Sequence, residues 1–169
     1  RNDPHEAILH GQWSSPAVGL IGGQKQAIFP GGDGRVYAFE PESGDLLWSF
    51  QGNPEGTVYK LGGLGTRNEI IATPVVANGR IYVAVGQDSR HGPGKGCLSC
   101  IDPAGEGDIT EKGKVWQCAD VDRSFSSAAV TRDGLVFIAD YTGILRCLDA
   151  DTGEFNVSRP SAGNHGPVR

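Results

Sequence analysis

Cysteine, histidine and aspartate crowd one short window of this chain. Cys97-Leu98-Ser99-Cys100 puts two thiols three residues apart, with Asp88 and His91 just upstream. Thiolate, imidazole and carboxylate are the ligands of a tetrahedral zinc site, and the C-x-x-C spacing also suits a redox dithiol. Either chemistry needs a turn that brings the two sulfurs together. The surrounding residues argue for a strand instead. "CLSCID" aligns with "VYAFE" at 36–40, and both alternate in period two. Strand residues three apart lie roughly 10 Å from each other and point to opposite faces. A shared metal and a mutual disulfide are therefore not expected. Cys100 and Cys147 align with Ala38, a small inward position where a thiol simply packs. Attached c-type haem is excluded here, because Ile101 and not a histidine follows the second cysteine.

Other reactive-looking stretches read as loops. "GPGKG" at 92–96 lacks the Ser or Thr that follows Lys in a phosphate loop, and a strand follows it, not a helix. It reads as a flexible hairpin insertion. "LGGLG" at 61–65 reads as an interblade loop, and the Thr66-Arg67-Asn68-Glu69 run after it supplies polar groups for one face. His5, His10 and His165 fall in irregular ends. The acid pairs Glu40/Glu42 and Asp149/Asp151 sit in turns, where carboxylates hold backbone N–H groups. No Ser-His-Asp grouping follows from the spacing, and no catalytic, cofactor-binding or metal-ligating residue is assigned.

The elements that carry these residues repeat. Copy one runs from "SPAV" through "QAIFPGGDGRVYAFEPESGDLLWSF". Copy two reads "TPVVANGRIYVAVGQD", an insertion, then "GCLSCIDPAGEGDITEKGKVWQC". Copy three reads "SAAVTRDGLVFIAD" and "YTGILRCLDADTGEFNV". Lead strands begin near Ser15, Thr73 and Ser127. Each copy offers four extended segments rich in Val, Ile, Tyr and Phe, separated by Gly-containing turns. A four-stranded antiparallel unit repeated in tandem is a β-propeller blade. The expected fold is all-β, with about three blades over 13–60, 70–120 and 124–157. Residues 1–12 are read as an irregular N-terminal segment and 158–169 as an irregular tail. Three blades do not close a ring, so the chain reads as part of a larger propeller.

These repeats resemble the pyrroloquinoline-quinone-like β-propeller family of bacteria, shared by quinoprotein alcohol dehydrogenases and BamB-like outer-membrane assembly lipoproteins. The resemblance rests on a tryptophan-docking pattern, roughly Leu-Asp-Ala-x-Thr-Gly-x-x-x-Trp. It appears here as "FEPESGDLLW", ending in Trp48, and "IDPAGEGDITEKGKVW", ending in Trp116. In "LDADTGEFNV" the turn is kept but Val157 stands where the family has Trp. The resemblance implies that Trp48 and Trp116 anchor blade to blade, and the "ESGD" and "DTGE" turns themselves call for Gly44 and Gly153 as left-handed residues. A buried Trp ring removes about 150–250 Å2 from water, enough to act as such an anchor.

The family offers two functions. One is a non-catalytic protein-binding or scaffold subunit of an extracytoplasmic assembly, periplasmic or at the cell surface. Its partners are other protein subunits or missing blades of the same propeller. Contact candidates are Asp88, Arg90, His91 and Lys95 in the insertion. The alternative is a fragment of a dehydrogenase that uses pyrroloquinoline quinone with calcium. That branch has a vicinal Cys-Cys pair, which this sequence lacks, and a stacking Trp. The scaffold reading, without a cofactor, is therefore preferred.

Composition agrees with a turn-rich β protein: 26 Gly and 10 Pro in 169 residues. Net charge is −5, with Lys and Arg scattered, so nucleic acid and anionic lipid are disfavoured partners. No apolar run is long enough to span a membrane. The chain starts at Arg1 and has no Met, which reads as a processed protein or an internal piece.

Overall fold

The computed structural model describes residues 11–60, 65–87, 90 and 92–156. Asp88, His91, Val157, His5, His10 and His165 lie outside them. Twelve strands form three sheets among the described residues, and none of these residues is α-helical.

The first sheet holds β1 (Ala17–Ile21), β2 (Gln24–Pro30), β3 (Arg35–Phe39) and β4 (Leu46–Gln51) as an antiparallel meander. The second holds β5 (Val75–Ala77), β6 (Arg80–Val85), β7 (Cys97–Ile101) and β9 (Lys114–Cys118). The third holds β10 (Ala129–Val130), β11 (Leu135–Ala139) and β12 (Leu145–Asp149). A lone bridge from Leu148 to Phe155 begins its fourth strand.

Local chemistry fixes the first hairpin of each of the first two sheets. Gly22-Gly23 and Asn78-Gly79 are two-residue turns with both residues at positive φ (57° and 82°, 51° and 72°). That is the primed turn whose twist matches a hairpin, and Gly and Asn tolerate it best. The turn after each third strand is also built alike. Glu40 accepts from the Glu42 and Ser43 backbone, Asp102 from Ala104, and Asp149 from Asp151 and Thr152. These acids are thus turn locks, and their hydrogen bonds hold the carboxyls of Glu40 and Asp149 below the usual range.

The sheets stack face to face around two apolar layers. Ile28, Val36, Ala38, Trp48 and Phe50 of the first sheet meet Ile81, Val83, Val85, Cys97 and Ile101 of the second. The second sheet's other face sends Tyr82, Ala84, Leu98, Cys100 and Trp116 against Val136, Ile138, Leu148 and Ala150 of the third. The middle sheet is covered on both sides, which explains why β7 is buried at every position. Along the inner edge, β5 touches both β1 and β10, with Gly19 leaving room for Val76.

One feature departs from four antiparallel strands per blade. The lengthened turn of the second copy sends β8 (Gly107–Asp108) onto the outer edge of the first sheet, parallel to β4. Ile109 N donates to Ser49 O, and its side chain is buried in the first apolar layer. Arg35 pairs with Asp108 at 2.6 Å, and Gln51 N donates to the Thr110 hydroxyl. The clasp hides an edge that would otherwise present unpaired backbone groups.

Candidate functional site: the crossover face

Antiparallel blades put two kinds of connection at one end. The turn between the second and third strands of each sheet lies there, and so does the crossover to the next sheet. The insertion 86–96 and the crossovers 52–74 and 119–128 therefore share one face.

The insertion is wedged between those crossovers instead of forming a free hairpin. On one side Gly86 N donates to Glu69 O and Asn68 Nδ2 donates to Lys95 O at 2.7 Å. A methyl at Gly94 would meet Thr66 O at 2.2 Å. On the other side a methyl at Gly96 would lie 2.3 Å from Arg123 N, and Arg123 Nη1 donates to Gly92 O. Glycine is required here because backbone passes against backbone. Of the expected contact residues, Arg90 and Lys95 are exposed on this face.

Beneath the surface the crossovers are locked by paired amides. Asn68 N donates to Asn53 Oδ1 at 2.7 Å, and Asn53 Nδ2 returns the bond to Asn68 O at 2.8 Å. Glu69 is 2% exposed, and burial pushes its carboxyl up to about 7 despite a hydrogen bond from the Gly11 backbone. Glu69 Oε2 and Gln87 Nε2 have no partner among the described residues.

The same face carries aromatic groups that sequence reasoning passed over. Phe125 and Tyr141 meet edge to face at 5.3 Å, and both are exposed. The Arg123 guanidinium lies 5.4 Å from the Tyr141 ring centroid. Arg123 thus joins the aromatic pair to the insertion. The signal available in sequence was weak: each aromatic follows a strand or precedes one, where a bare loop residue was expected.

The cysteine window behaves as a packed strand. Cys97 belongs to the first apolar layer and Cys100 to the second, on opposite faces of β7. All four cysteines are free. Burial pushes the Cys97 thiol up to about 12 and the Cys100 thiol up to about 11, as for thiols packed in an apolar layer. Among the described residues no three His, Cys, Asp or Glu side chains converge.

The two tryptophans sit differently. Trp116 Nε1 donates to Ala150 O at 2.9 Å, and its ring lies over Gly153 (φ 72°), where a methyl would come 2.5 Å from Cδ2. This contact joins the second sheet to a turn of the third. Trp48 is fully buried, but its Nε1 donates to Gln26 Oε1 within its own sheet. Trp48 and the turn residues Asp102 to Glu106 of the second copy line one cleft. Gly44 takes the same positive φ as Gly153 (77°) and closes its turn by donating to Glu40 O.

The family model described as outer membrane protein assembly factor BamB matches residues 2–159. The chain belongs to that family. Among solved structures, BamB from Moraxella catarrhalis superposes with a TM-score of 0.59 at 18% identity, covering 92% of this chain and 39% of that one. A quinohemoprotein alcohol dehydrogenase from Pseudomonas putida gives 0.52 at 14% identity, covering 82% of this chain and 25% of that one. A europium-containing methanol dehydrogenase gives 0.57 at 14%, covering 84% and 34%. At these identities the likeness is one of fold. The chain spans about two fifths of the BamB structure it matches. No curated protein matches the sequence. No helix among the described residues is long and apolar enough to cross a membrane.

Proposed function

We propose that the chain is a non-catalytic, protein-binding part of a β-propeller in an extracytoplasmic assembly, periplasmic or at the cell surface. The observation that carries this reading is the crossover face. An exposed Phe125–Tyr141 pair with Arg123 over the ring, and the pinned insertion bearing the exposed Arg90 and Lys95, lie at the same end of the sheets. Aromatic rings and arginine held on rigid backbone are the groups that dominate protein interfaces.

Two uncovered sheet faces point to further blades as the second class of partner. On the first sheet Val18 and Leu20 are 66% and 71% exposed, on the same face as the half-buried Phe29 and Phe39. On the third, Leu145 is 69% exposed beside Phe137 and Cys147. Apolar area of this kind marks a surface that another layer covers. Trp48, Trp116, Gly44 and Gly153 serve in this reading as blade anchors, and the blades follow the boundaries 13–60, 70–120 and 124–157.

The alternative, a piece of a quinone- and calcium-dependent dehydrogenase, rests on fold likeness to two such enzymes. A fold shared by both branches does not carry chemistry with it. The test compares the parent with an Arg90→Glu/Lys95→Glu/Tyr141→Ser variant, each tagged in its source cells. The variant should lose defined co-purifying proteins while keeping its β circular dichroism. Retention of the full partner set would refute the contact patch. Pyrroloquinoline quinone with calcium should give neither a thermal shift nor dye-linked alcohol oxidation, and a saturable shift with turnover would establish the enzyme instead.

A further inference from the structure

The first two sheets end in outer strands of the same design, but only one of them is covered. The edge of β4 carries β8: Trp48 faces Gly107, Ser49 faces Asp108, and Ile109 N donates to Ser49 O. The same register recurs in β9. Trp116 faces Cys100 as Trp48 faces Ala38, and a bulge follows at the same step. Gln117 therefore stands where Ser49 does, with its backbone N–H and C=O directed away from β7. Among the described residues β9 pairs only with β7, and no other backbone bond reaches Lys114–Cys118. The difference lies in the turn of the following copy. The turn at 102–113 is long enough to lay a strand on β4, whereas the turn at 149–154 closes on itself, Gly153 N donating to Asp149 O. A cleft of about 370 Å3 is left between the end of β9 and that short turn.

We propose that the β9 edge and this cleft take an extended, basic segment of another polypeptide, added as a strand parallel to β9. The chain's own clasp shows what fits such an edge: Gly107 and Asp108 supply the pairing, and Ile109 is buried in the layer beside it. At β9 the matching apolar residue meets Trp116, Cys118 and the exposed Phe155. Charge selects the occupant. Asp120 and Glu154 line the cleft, both are exposed, and neither forms an ion pair among the described residues. A parallel segment runs with β9 toward Asp120, so a Lys or Arg one or two residues after the apolar one reaches these carboxylates. Main-chain pairing at the edge gives affinity, and the flanking groups give choice. The site uses none of Phe125, Tyr141, Arg90 and Lys95, so it and the crossover face can fail separately.

The test follows the backbone amides of the full 15N-labelled chain by NMR, with capped Ser-Gly-Thr-Ile-Thr-Lys-Lys as the probe at constant ionic strength. Saturable shifts are expected at 114–120 and 152–155, with slowed exchange of the Gln117 N–H. Gln117→Pro removes that outward N–H, a change an edge strand tolerates, and should weaken binding at least about tenfold. Gln117→Ala loses the side-chain bonds to Gly52 O and Ser99 but keeps the N–H, and should bind as the parent does. On the parent chain, a probe methylated at the Ile nitrogen lacks the donor that Ile109 uses and should not bind. The counterpart ending in Glu-Glu should bind at least about tenfold more weakly. No saturable shift, equal binding of the Lys-Lys and Glu-Glu probes, or undiminished binding of the methylated probe would each overturn the proposal. So would self-association of the chain that Gln117→Pro abolishes, which assigns the edge to a second copy.

Discussion

Trp116 and Gly153 make a sharp double-mutant prediction. Truncating Trp116, which is 8% exposed, returns most of a ring's surface to water. About 200 Å2 at about 25 cal/mol per Å2 is about 5 kcal/mol. Local collapse recovers part of that, so Trp116→Ala should cost about 3–5 kcal/mol, including the bond lost to Ala150 O. Gly153→Ala has two separable costs. The left-handed backbone, φ 72°, penalises any Cβ by about 1–2 kcal/mol. The new methyl also lands 2.5 Å from the indole, a clash worth about 1–3 kcal/mol. In the Trp116→Ala background the clash disappears and only the backbone cost remains. The double mutant should therefore be about 1–3 kcal/mol more stable than the sum of the single changes implies. Urea melts followed by circular dichroism measure all four proteins. Strict additivity would show that the ring does not rest on the turn.

Three further outcomes follow from the packing. Ile109→Ala should cost about 2–5 kcal/mol, because this residue of the inserted turn is 2% exposed in the first apolar layer. Asp108→Asn beside it should cost under about 1 kcal/mol, since that ion pair is solvent-facing; equal effects in denaturant melts would refute the clasp. Gly94→Val should destabilise by more than about 1 kcal/mol, because Thr66 O stands 2.2 Å from the new Cβ. For the same reason, deleting 87–95 should loosen the first two crossovers, and a deletion that melts like the parent would show the insertion to be free. Glu69 has a pH signature. Its pKa is raised in the folded chain, from 4.5 to about 7, so the folded state holds the proton more tightly. Stability from this group is full below pH 4.5 and declines as pH rises toward about 7. Glu69→Gln should remove that decline, and an unchanged pH profile would place the carboxyl in water.

Much of the fold was legible because three independent signals agreed at each strand. Val, Ile and aromatic alternation marked "GRVYAFE" and "GLVFIAD", Gly-containing pairs marked the turns, and the order recurred three times. The cysteine window was legible for the same reason, since strand geometry alone separates Cys97 from Cys100. What stayed hidden depended on contacts between copies. Nothing in "AGEGDITEKG" says that Gly107 and Asp108 will pair with a strand more than fifty residues earlier. Nor does "SRHGPGKG" announce that its glycines are close-packed: a glycine that avoids a neighbouring backbone reads the same as one that gives flexibility. The site was least legible. Phe125 and Tyr141 come together only when the crossover before β10 and the turn after β11 meet at one end of the third sheet.

Both departures from a plain blade belong to the middle copy, and each acts on a different end of the stack. The turn at 102–113 reaches back over the outer edge of the first sheet and fills the layer beside Trp48. The insertion at 86–96 lies at the opposite end and touches the crossovers on both of its flanks, through Asn68 and Arg123. A blade that meets its neighbours only through apolar faces can slide or tilt at small cost, because hydrophobic contact is non-directional. Hydrogen bonds at both ends remove that freedom, since each has a fixed direction and length. The first two sheets are therefore coupled at the top and the bottom. The second and third are coupled at the top through Arg123 and at the bottom through Trp116 on Gly153. A binding face assembled from loops of two blades and the crossover between them needs this registration more than any single blade does. Losing either clasp should blur the face before it unfolds a sheet.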